Sequence, residues 1–165
     1  AVSHRDFNDP MIVSELCLHF QMVAVVRNDH PRIQEPPDMR VLEKEEYVSV
    51  HDFSYPTNAR ELREVLEISK NRARIEVPNA LMLPVILEQS DLVALIPKAH
   101  ADMMSQRYQL SIFPLPIPEA ISAANIIWHR AYEKDPELAW FRETCISTFR
   151  DIRERLLALY PNLIA

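Results

Sequence analysis

Short apolar runs that alternate with helical segments constrain the fold of this chain more than any other feature. Residues 20–26 (FQMVAVV) and 92–97 (LVALIP) are almost wholly apolar, which is typical of strands buried inside a sheet. Similar patterns predict strands at 48–50, 73–77, 109–115 and 125–129, and helices at 58–68, 80–88, 98–106 and 137–159. Strands that alternate with helices in this way predict an α/β fold with a largely parallel sheet.

The last predicted helix has the clearest sequence signals. Asp135 is a favourable N-cap residue, and Pro136 suits the first helical position. Apolar residues then recur every three or four positions, which predicts a single buried stripe along one face. The stripe contains Leu138, Phe141, Cys145, Phe149, Ile152, Leu156 and Leu159.

Two other predicted helices also carry start signals. Thr57 can cap the helix over 58–68, and Asn79 can cap the helix over 80–88. Pro84 lies inside the second of these helices, where its ring and missing N–H are expected to kink or shorten it.

Composition limits the classes of function. The 24 acidic and 18 basic residues give a formal charge of −6, so the chain is a poor candidate for gripping nucleic acid by itself. Cys17 and Cys145 are far apart and form no CxxC pair, which favours a reducing cytoplasm. No apolar run approaches the roughly 18 residues of a membrane span, and no signal peptide is visible.

Motifs for catalysis and metal binding are weak. Cys17 and His19 would project from one face of a strand, but no second pair with ligand spacing follows, so we predict no metal site. Ser90, Asp91 and His100 could be combined into a triad on paper. The sequence has no GxSxG elbow and no Gly-rich loop to hold an oxyanion or a phosphate. We therefore predict no catalytic residue and no cofactor.

Three segments, taken in order, resemble LysR-type transcriptional regulators. They are VAVVRNDHPRI at 23–33, RARIEVPNALMLPVILEQSDLVALIPKAHAD at 72–102, and IIWHRAYEKDPELAWFRE at 126–143. The resemblance extends over about residues 1–150. The WH…DP…W.R pattern of the third segment is similar to the branch that senses aromatic compounds, which includes nodulation and salicylate-type regulators.

The resemblance implies a type 2 periplasmic-binding-protein-like fold, in which two α/β lobes are joined by two crossing strands. Residues 1–26 would form the end of lobe I and the outward crossing. Residues 27–118 would form lobe II. Residues 119–165 would form the return crossing and the closing helix of lobe I, which would be incomplete in this chain.

The resemblance also implies a function. The chain would be the ligand-sensing domain of a cytoplasmic regulator that forms a homodimer or homotetramer. A small aromatic or carboxylate effector would bind between the lobes, and DNA would be bound by a winged helix-turn-helix domain absent from these residues. The alternatives are a solute-binding protein of a transporter and, with less support, an enzyme on a similar scaffold.

Candidate effector-binding residues follow from the resemblance and from the strand ends. Ligands of open α/β sheets bind beyond the carboxyl ends of strands, and a helix N-terminus there suits a carboxylate. The positions that match the family's effector pocket, or that lie at such strand ends, are Ser3, Tyr47, Ser54, Thr57, Asn79 and Ile127. Two simpler roles remain open: Asn79 as a helix cap alone, and Tyr47 as ordinary core packing.

Overall fold

The computed structural model describes residues 2–3, 9–51, 57 and 59–159, and it describes only the backbone of residues 2, 3, 153 and 156–159. Along these residues the order of elements is β1 (Val2–Ser3), β2 (Ile12–Arg27), α1 (Met39–Leu42), β3 (Tyr47–Val50), α2 (Arg60–Asn71), β4 (Ala73–Val77), α3 (Leu83–Glu88), β5 (Ala94–Pro97), α4 (Lys98–Ser105), β6 (Leu110–Pro114), β7 (Ile121–His129) and α5 (Pro136–Leu159). Two 3₁₀ turns, Ala80–Met82 and Arg130–Tyr132, precede α3 and α5.

The chain divides into two compact units. Unit 1 contains residues 1–20 and 122–165, and unit 2 contains residues 21–53 and 57–121. The chain passes between the units inside β2, at residues 20 and 21, and inside β7, at residues 121 and 122. The assignment of these units to lobes, with the boundaries given above, stays a prediction.

The sheet of unit 2 is mixed, so the prediction of a largely parallel sheet is wrong. β2 pairs antiparallel with both β5 and β6, for example through Val23 opposite Ile96 and Val25 opposite Ile112. β3 and β4 are parallel, and one parallel bridge joins Tyr47 to Val93. Alternation of strands and helices in sequence does not set strand direction, since a helix can also connect antiparallel neighbours.

Alternate residues of these strands build the core of unit 2. Val23 and Val25 project from β2 toward the same face as Ala94 and Ile96 of β5, because side chains on a strand alternate between faces. Helix α3 covers them with Leu83 and Leu87, both fully buried. Val48, Val77, Leu92, Ala101 and Leu110 complete the cluster.

Of the two residues predicted to cap helices, Asn79 is confirmed as a cap and Thr57 is not. Asn79 caps the 3₁₀ turn through its Oδ1, and α3 is limited to six residues with Pro84 in its first turn, as expected. Thr57 is not the N-cap of α2, which was a wrong prediction. α2 begins at Arg60, and its N-cap is Ala59. The Thr57 hydroxyl instead accepts a hydrogen bond from the N–H of Ala59 and donates to the carbonyl of Ile121.

Unit 1 combines β1, β7, the first part of β2 and α5. β7 lies between β1 and β2, and Val2 and Ser3 of β1 stand opposite Ile126 and Asn125. α5 begins at Pro136, as predicted, and the Asp135 carboxylate accepts hydrogen bonds from the N–H groups of Glu137 and Leu138.

The predicted buried stripe of α5 is only partly correct. Phe149 is half-buried, but Phe141 and Ile152 are 49% and 42% exposed. Among the side chains of α5 that the structure describes, which do not include Leu156 and Leu159, the half-buried ones are Ala139, Arg142, Cys145, Ile146 and Phe149. The packed face is therefore turned by part of a helical turn from the apolar stripe. A contact between Arg142 and Trp128, described below, lies at the centre of this face, and the periodicity of apolar residues could not reveal it.

Candidate functional site

The carboxyl ends of β3 and β4 form one polar edge of unit 2. The two strands are parallel, with Val50 opposite Val77, so the residues that follow them emerge on the same side. The N–H of His51 donates to the carbonyl of Val77 over 2.7 Å, and Nδ1 of His51 lies 3.1 Å from Oε1 of Glu76. Asn79 follows β4 at this edge. Ser54, another predicted site residue, lies outside the described residues.

Hydrogen bonds of Thr57 hold the backbone just before α2. Its hydroxyl donates to the carbonyl of Ile121 over 2.8 Å and accepts from the N–H of Ala59 over 3.1 Å. Its own carbonyl accepts from Arg63 over 2.9 Å, and the residue is buried. These bonds occupy the hydroxyl proton, so a contact with a ligand would use the remaining lone pair of Oγ1.

Asn79 is exposed and retains hydrogen-bonding capacity. Its Oδ1 accepts from the N–H of Leu81 over 3.1 Å, which is the cap already described. Its Nδ2 group has no hydrogen-bond partner among the described residues. The cap and a ligand contact are therefore compatible, because the first uses the carbonyl oxygen and the second can use the amide hydrogens.

Tyr47 lies in the core of unit 2. The residue has no exposed surface, and its hydroxyl donates to the carbonyl of Leu42 over 2.6 Å. Burial, together with the nearby charge of Glu45, raises the pKa of Tyr47 well above its usual value. This geometry favours core packing, and a contact between Tyr47 and an effector stays a prediction.

We expect Tyr47→Phe to lower the free energy of unfolding by about 1–3 kcal/mol, because the Leu42 carbonyl loses its donor in a buried setting. Urea denaturation followed by circular dichroism measures the change. Tyr132→Phe is the control, since Tyr132 is 54% exposed, and its stability should not change measurably. Equal stability of both variants would show that the buried hydroxyl is not a structural donor.

Ser3 and Ile127 belong to unit 1, whereas Tyr47, Thr57 and Asn79 belong to unit 2. The backbone of Ser3 pairs with Asn125, and Ile127 is half-buried in β7. Within unit 2, the structure brings Thr57 and Asn79 to the loops before neighbouring helices. That all six residues line one effector site stays a prediction.

Sequence reasoning missed a buried polar cluster in unit 2 that is centred on His30. His30 is fully buried, and its Nε2 donates to the carbonyl of Asp91 over 3.0 Å. Its Nδ1 accepts the N–H groups of Ile33 and Arg32 over 2.9 and 3.3 Å. These partners fix the neutral tautomer that carries its proton on Nε2.

Charged side chains extend the same cluster. Arg32 makes a bidentate contact with Glu45, with distances of 2.8–3.1 Å, although the Glu45 side chain is only 2% exposed. Arg27 pairs with Asp91 at 2.9 Å, and Arg72 donates to the carbonyl of Glu45 at 2.7 Å. The cluster ties the turn after β2 to the segments before β3 and β5. The sequence did contain the residues of this cluster in recognisable motifs, because "RNDHPR" and "SDL" both lie within the segments that resemble LysR-type regulators.

The Trp128-His129 pair has a structural role in unit 1. The guanidinium of Arg142 lies 4.6 Å from the centre of the Trp128 ring, within cation–π distance, and donates to the carbonyl of Glu133 over 3.1 Å. His129 caps the following 3₁₀ turn by accepting the N–H of Ala131. The WH…DP…W.R pattern thus specifies the connection between β7 and α5 within unit 1.

Two classes of site are not supported by the part of the chain that the structure describes. It contains no group of three or more His, Cys, Asp or Glu side chains arranged to hold a metal ion. Among the same residues, no helix is both long enough and apolar enough to cross a membrane.

Comparison with curated proteins gives relatives that regulate transcription. The chain is 29% identical over 131 residues to the HTH-type transcriptional activator NagR of Ralstonia sp., covering 78% of this chain and 43% of NagR. The chain therefore spans less than half the length of the curated relatives it matches.

Comparison with solved structures shows that the chain has the fold of effector-binding domains. The effector-binding domain of QuiR in complex with shikimate matches with a TM-score of 0.67 at 15% identity, covering 91% of this chain and 71% of that domain. The effector-binding domain of BenM with its effector benzoate matches with a TM-score of 0.62 at 18% identity, covering 93% and 68%. These likenesses confirm the predicted periplasmic-binding-protein-like α/β fold.

The match to a protein family extends over most of the chain. The family model described as the LysR substrate binding domain matches residues 1–150, a range that contains all three segments quoted above. With the fold and the sequence in agreement, the chain belongs to the LysR substrate binding domain family.

Proposed function

We propose that this chain is the effector-sensing part of a LysR-type transcriptional regulator. The observation that carries the proposal is the family match over residues 1–150, on a fold like that of effector-binding domains. A regulator of this kind acts on DNA, so we place it in the cytoplasm. The DNA contact belongs to a winged helix-turn-helix domain outside these residues, in keeping with the net charge of −6.

The effector that fits best is a small carboxylate with an aromatic or alicyclic ring. Shikimate and benzoate, bound by the similar QuiR and BenM domains, both carry a carboxylate on a six-membered ring. In this chain, the N-cap residue of α2 makes no side-chain hydrogen bond to the helix, so the first-turn N–H groups can face an anion. The amide of Asn79 adds a donor at the same edge of unit 2.

Sensing requires two conformations with different affinities for the effector. A ligand that binds one conformation more tightly shifts the population toward it, and the shift cannot exceed the difference in binding free energy. The proposal therefore predicts an effector-dependent change in the geometry of a dimer or tetramer of the regulator. Whether the effector activates or represses depends on the DNA-binding part.

Two other functions have less support. A solute-binding protein would share it, but NagR is a transcriptional activator and the family model is that of regulators. An enzyme would need a nucleophile or a cofactor site, and the sequence has no nucleophile elbow and no Gly-rich loop. Turnover of a bound carboxylate during incubation with the protein would reveal such an activity.

The effector site can be tested by thermal shift followed by calorimetry. Benzoate, salicylate and shikimate are the first probes, and the best ligand is then titrated into variants. Ser54→Ala and Asn79→Ala should each weaken binding by about 1–3 kcal/mol if their hydrogen bonds to a buried ligand group are real. Asn71→Ala, at the exposed far end of α2, is the control and should bind normally.

Unchanged affinity in both site variants, with thermal stability preserved, would place the effector elsewhere. Loss of affinity in the Asn71 control as well would mean that the substitutions act through general destabilisation of the protein rather than through contacts with the effector.

A further inference from the structure

Arg63 carries a positive charge to the N-terminal end of α2. Its side chain runs back along the helix, and its Nη2 donates to the carbonyl of Thr57 over 2.9 Å. Thr57 lies ahead of Arg60, the first residue of α2. The guanidinium is therefore held at the start of the helix, close to the loop that precedes it.

Contacts of Thr57 locate this guanidinium at one edge of unit 2. The Thr57 hydroxyl donates to the carbonyl of Ile121 over 2.8 Å, directly after Ala120. The carbonyl of Ala120 accepts from the N–H of Met22 over 2.7 Å, and Met22 stands opposite Pro97, the last residue of β5. β3 runs parallel to β4 and to the residues that lead into β5, so all three strands end at this edge. Such an edge is where ligands of open α/β sheets bind.

The charge of Arg63 is not balanced by an acidic side chain in the part of the chain that the structure describes. Arg60, in the same turn of α2, pairs with Glu64 at 2.8 Å, whereas Arg63 contacts only the Thr57 carbonyl there. A cation in the first turn of a helix is also unfavourable, because the N-terminal end of the helix dipole is positive. An anion beside Arg63 would offset both effects.

Arg63 also keeps most of its hydrogen-bonding capacity. A guanidinium has five N–H donors, and the bond to Thr57 uses one of them. The side chain is exposed, so its remaining donors can be reached from solvent. A planar guanidinium matches the two oxygens of a carboxylate and can bind them through two parallel hydrogen bonds.

We propose that Arg63 recognises the carboxylate of the effector. The inference rests on the proposed function, because it takes the effector to be a small carboxylate bound at this edge of unit 2. The six candidate residues named from the sequence include no cation, so Arg63 supplies the charge that they lack. Arg63 then selects an acid over its neutral analogues, and Asn79 adds an amide donor.

A purely structural role is the alternative, in which Arg63 only holds the carbonyl of Thr57. The two roles differ in their effect on a neutral ligand of the same shape, such as benzamide in place of benzoate. Loss of a structural contact would disturb the binding of both compounds. Loss of a charge that pairs with the carboxylate would weaken the binding of benzoate alone.

Calorimetric titration of benzoate and of benzamide into the full-length protein tests the proposal. Arg63→Gln should weaken benzoate binding about 10- to 100-fold, as expected for hydrogen bonds to a charged group, and should leave benzamide binding unchanged. Arg63→Lys keeps the charge without the planar fork and should lose less affinity. Arg60→Gln is the matched control. It removes a cation of the same turn that is 86% exposed and already paired with Glu64, so it should bind both compounds normally.

The possible results separate this inference from the proposed function. Equal benzoate affinity in Arg63→Gln and Arg60→Gln would overturn the role of Arg63 and leave the effector-sensing function standing. Equal weakening of benzoate and benzamide binding in Arg63→Gln would assign Arg63 a structural role and would also overturn the proposal. No binding of benzoate, salicylate or shikimate to the unchanged protein would overturn both the carboxylate effector and the role of Arg63.

Discussion

Replacement of His30 by alanine should lower the free energy of unfolding of unit 2 by about 3–5 kcal/mol. The change removes a fully buried ring and leaves a cavity. It also leaves the N–H of Ile33 without its acceptor and removes the shorter of the two hydrogen bonds to the carbonyl of Asp91, which keeps only a 3.4 Å contact from Arg32. Buried polar groups that lose a partner are costly. Urea denaturation measured by circular dichroism gives the value.

Two further variants isolate the reason for this loss. His30→Asn keeps a side-chain oxygen near the position of Nδ1 and should recover part of the stability, because the N–H of Ile33 regains an acceptor. His51→Ala removes an exposed histidine of the same unit and should change stability by no more than about 0.5 kcal/mol. If His30→Ala were as stable as His51→Ala, the buried hydrogen bonds would not hold the turn.

Replacement of Arg32 by alanine should cost about 2–4 kcal/mol. Breaking a buried ion pair by removing one partner is expensive because the other charge stays in a poorly solvated site. Here the Glu45 side chain is only 2% exposed, whereas that of Arg32 is 51% exposed, so water can partly replace the guanidinium and the expected cost is below that of a fully buried pair.

Arg74→Ala provides the comparison. Arg74 pairs with Glu46 at 2.6 Å on the surface of the same unit, with both side chains largely exposed, and its loss should have little effect. The double variant Arg32→Ala with Glu45→Gln should regain stability over Arg32→Ala alone, because the unpaired buried charge is gone. Equal costs for Arg32 and Arg74 would show that burial of Glu45 does not decide the strength of the pair.

The sequence predicted the elements of this fold better than their arrangement. The strands at 48–50 and 73–77 and the helix that starts at Pro136 carry local signals, namely alternating apolar residues and a favourable cap. β2 extends much further than its apolar run, from Ile12 to Arg27, because its first part is held by neighbouring strands and needs no continuous apolar sequence. Strand direction was mispredicted, since it depends on which distant strand lies alongside.

In the candidate site, too, local patterns could be predicted from the sequence, but contacts between distant residues could not. Asn79 was recognised as a cap because an Asn before an apolar run is a local pattern. The bond from Thr57 to the carbonyl of Ile121 joins residues 64 positions apart, and no periodicity indicates it. The cluster of His30, Glu45 and Asp91 likewise brings three distant segments together. Its motifs were visible in the sequence, but their role became clear only from hydrogen-bond distances.

The course of β2 and β7 between the units has a consequence for synthesis on the ribosome. Residues 21 to 121 are contiguous except for the short stretch between residues 53 and 57, and the ends of unit 2 meet where the N–H of Met22 donates to the carbonyl of Ala120 over 2.7 Å. Unit 2 can therefore complete its hydrogen bonding as soon as residue 121 leaves the exit tunnel. The first part of β2 gains β7 as a neighbour only after β7 has emerged, and until then the strand edge that faces β7 is unpaired and can pair with another chain.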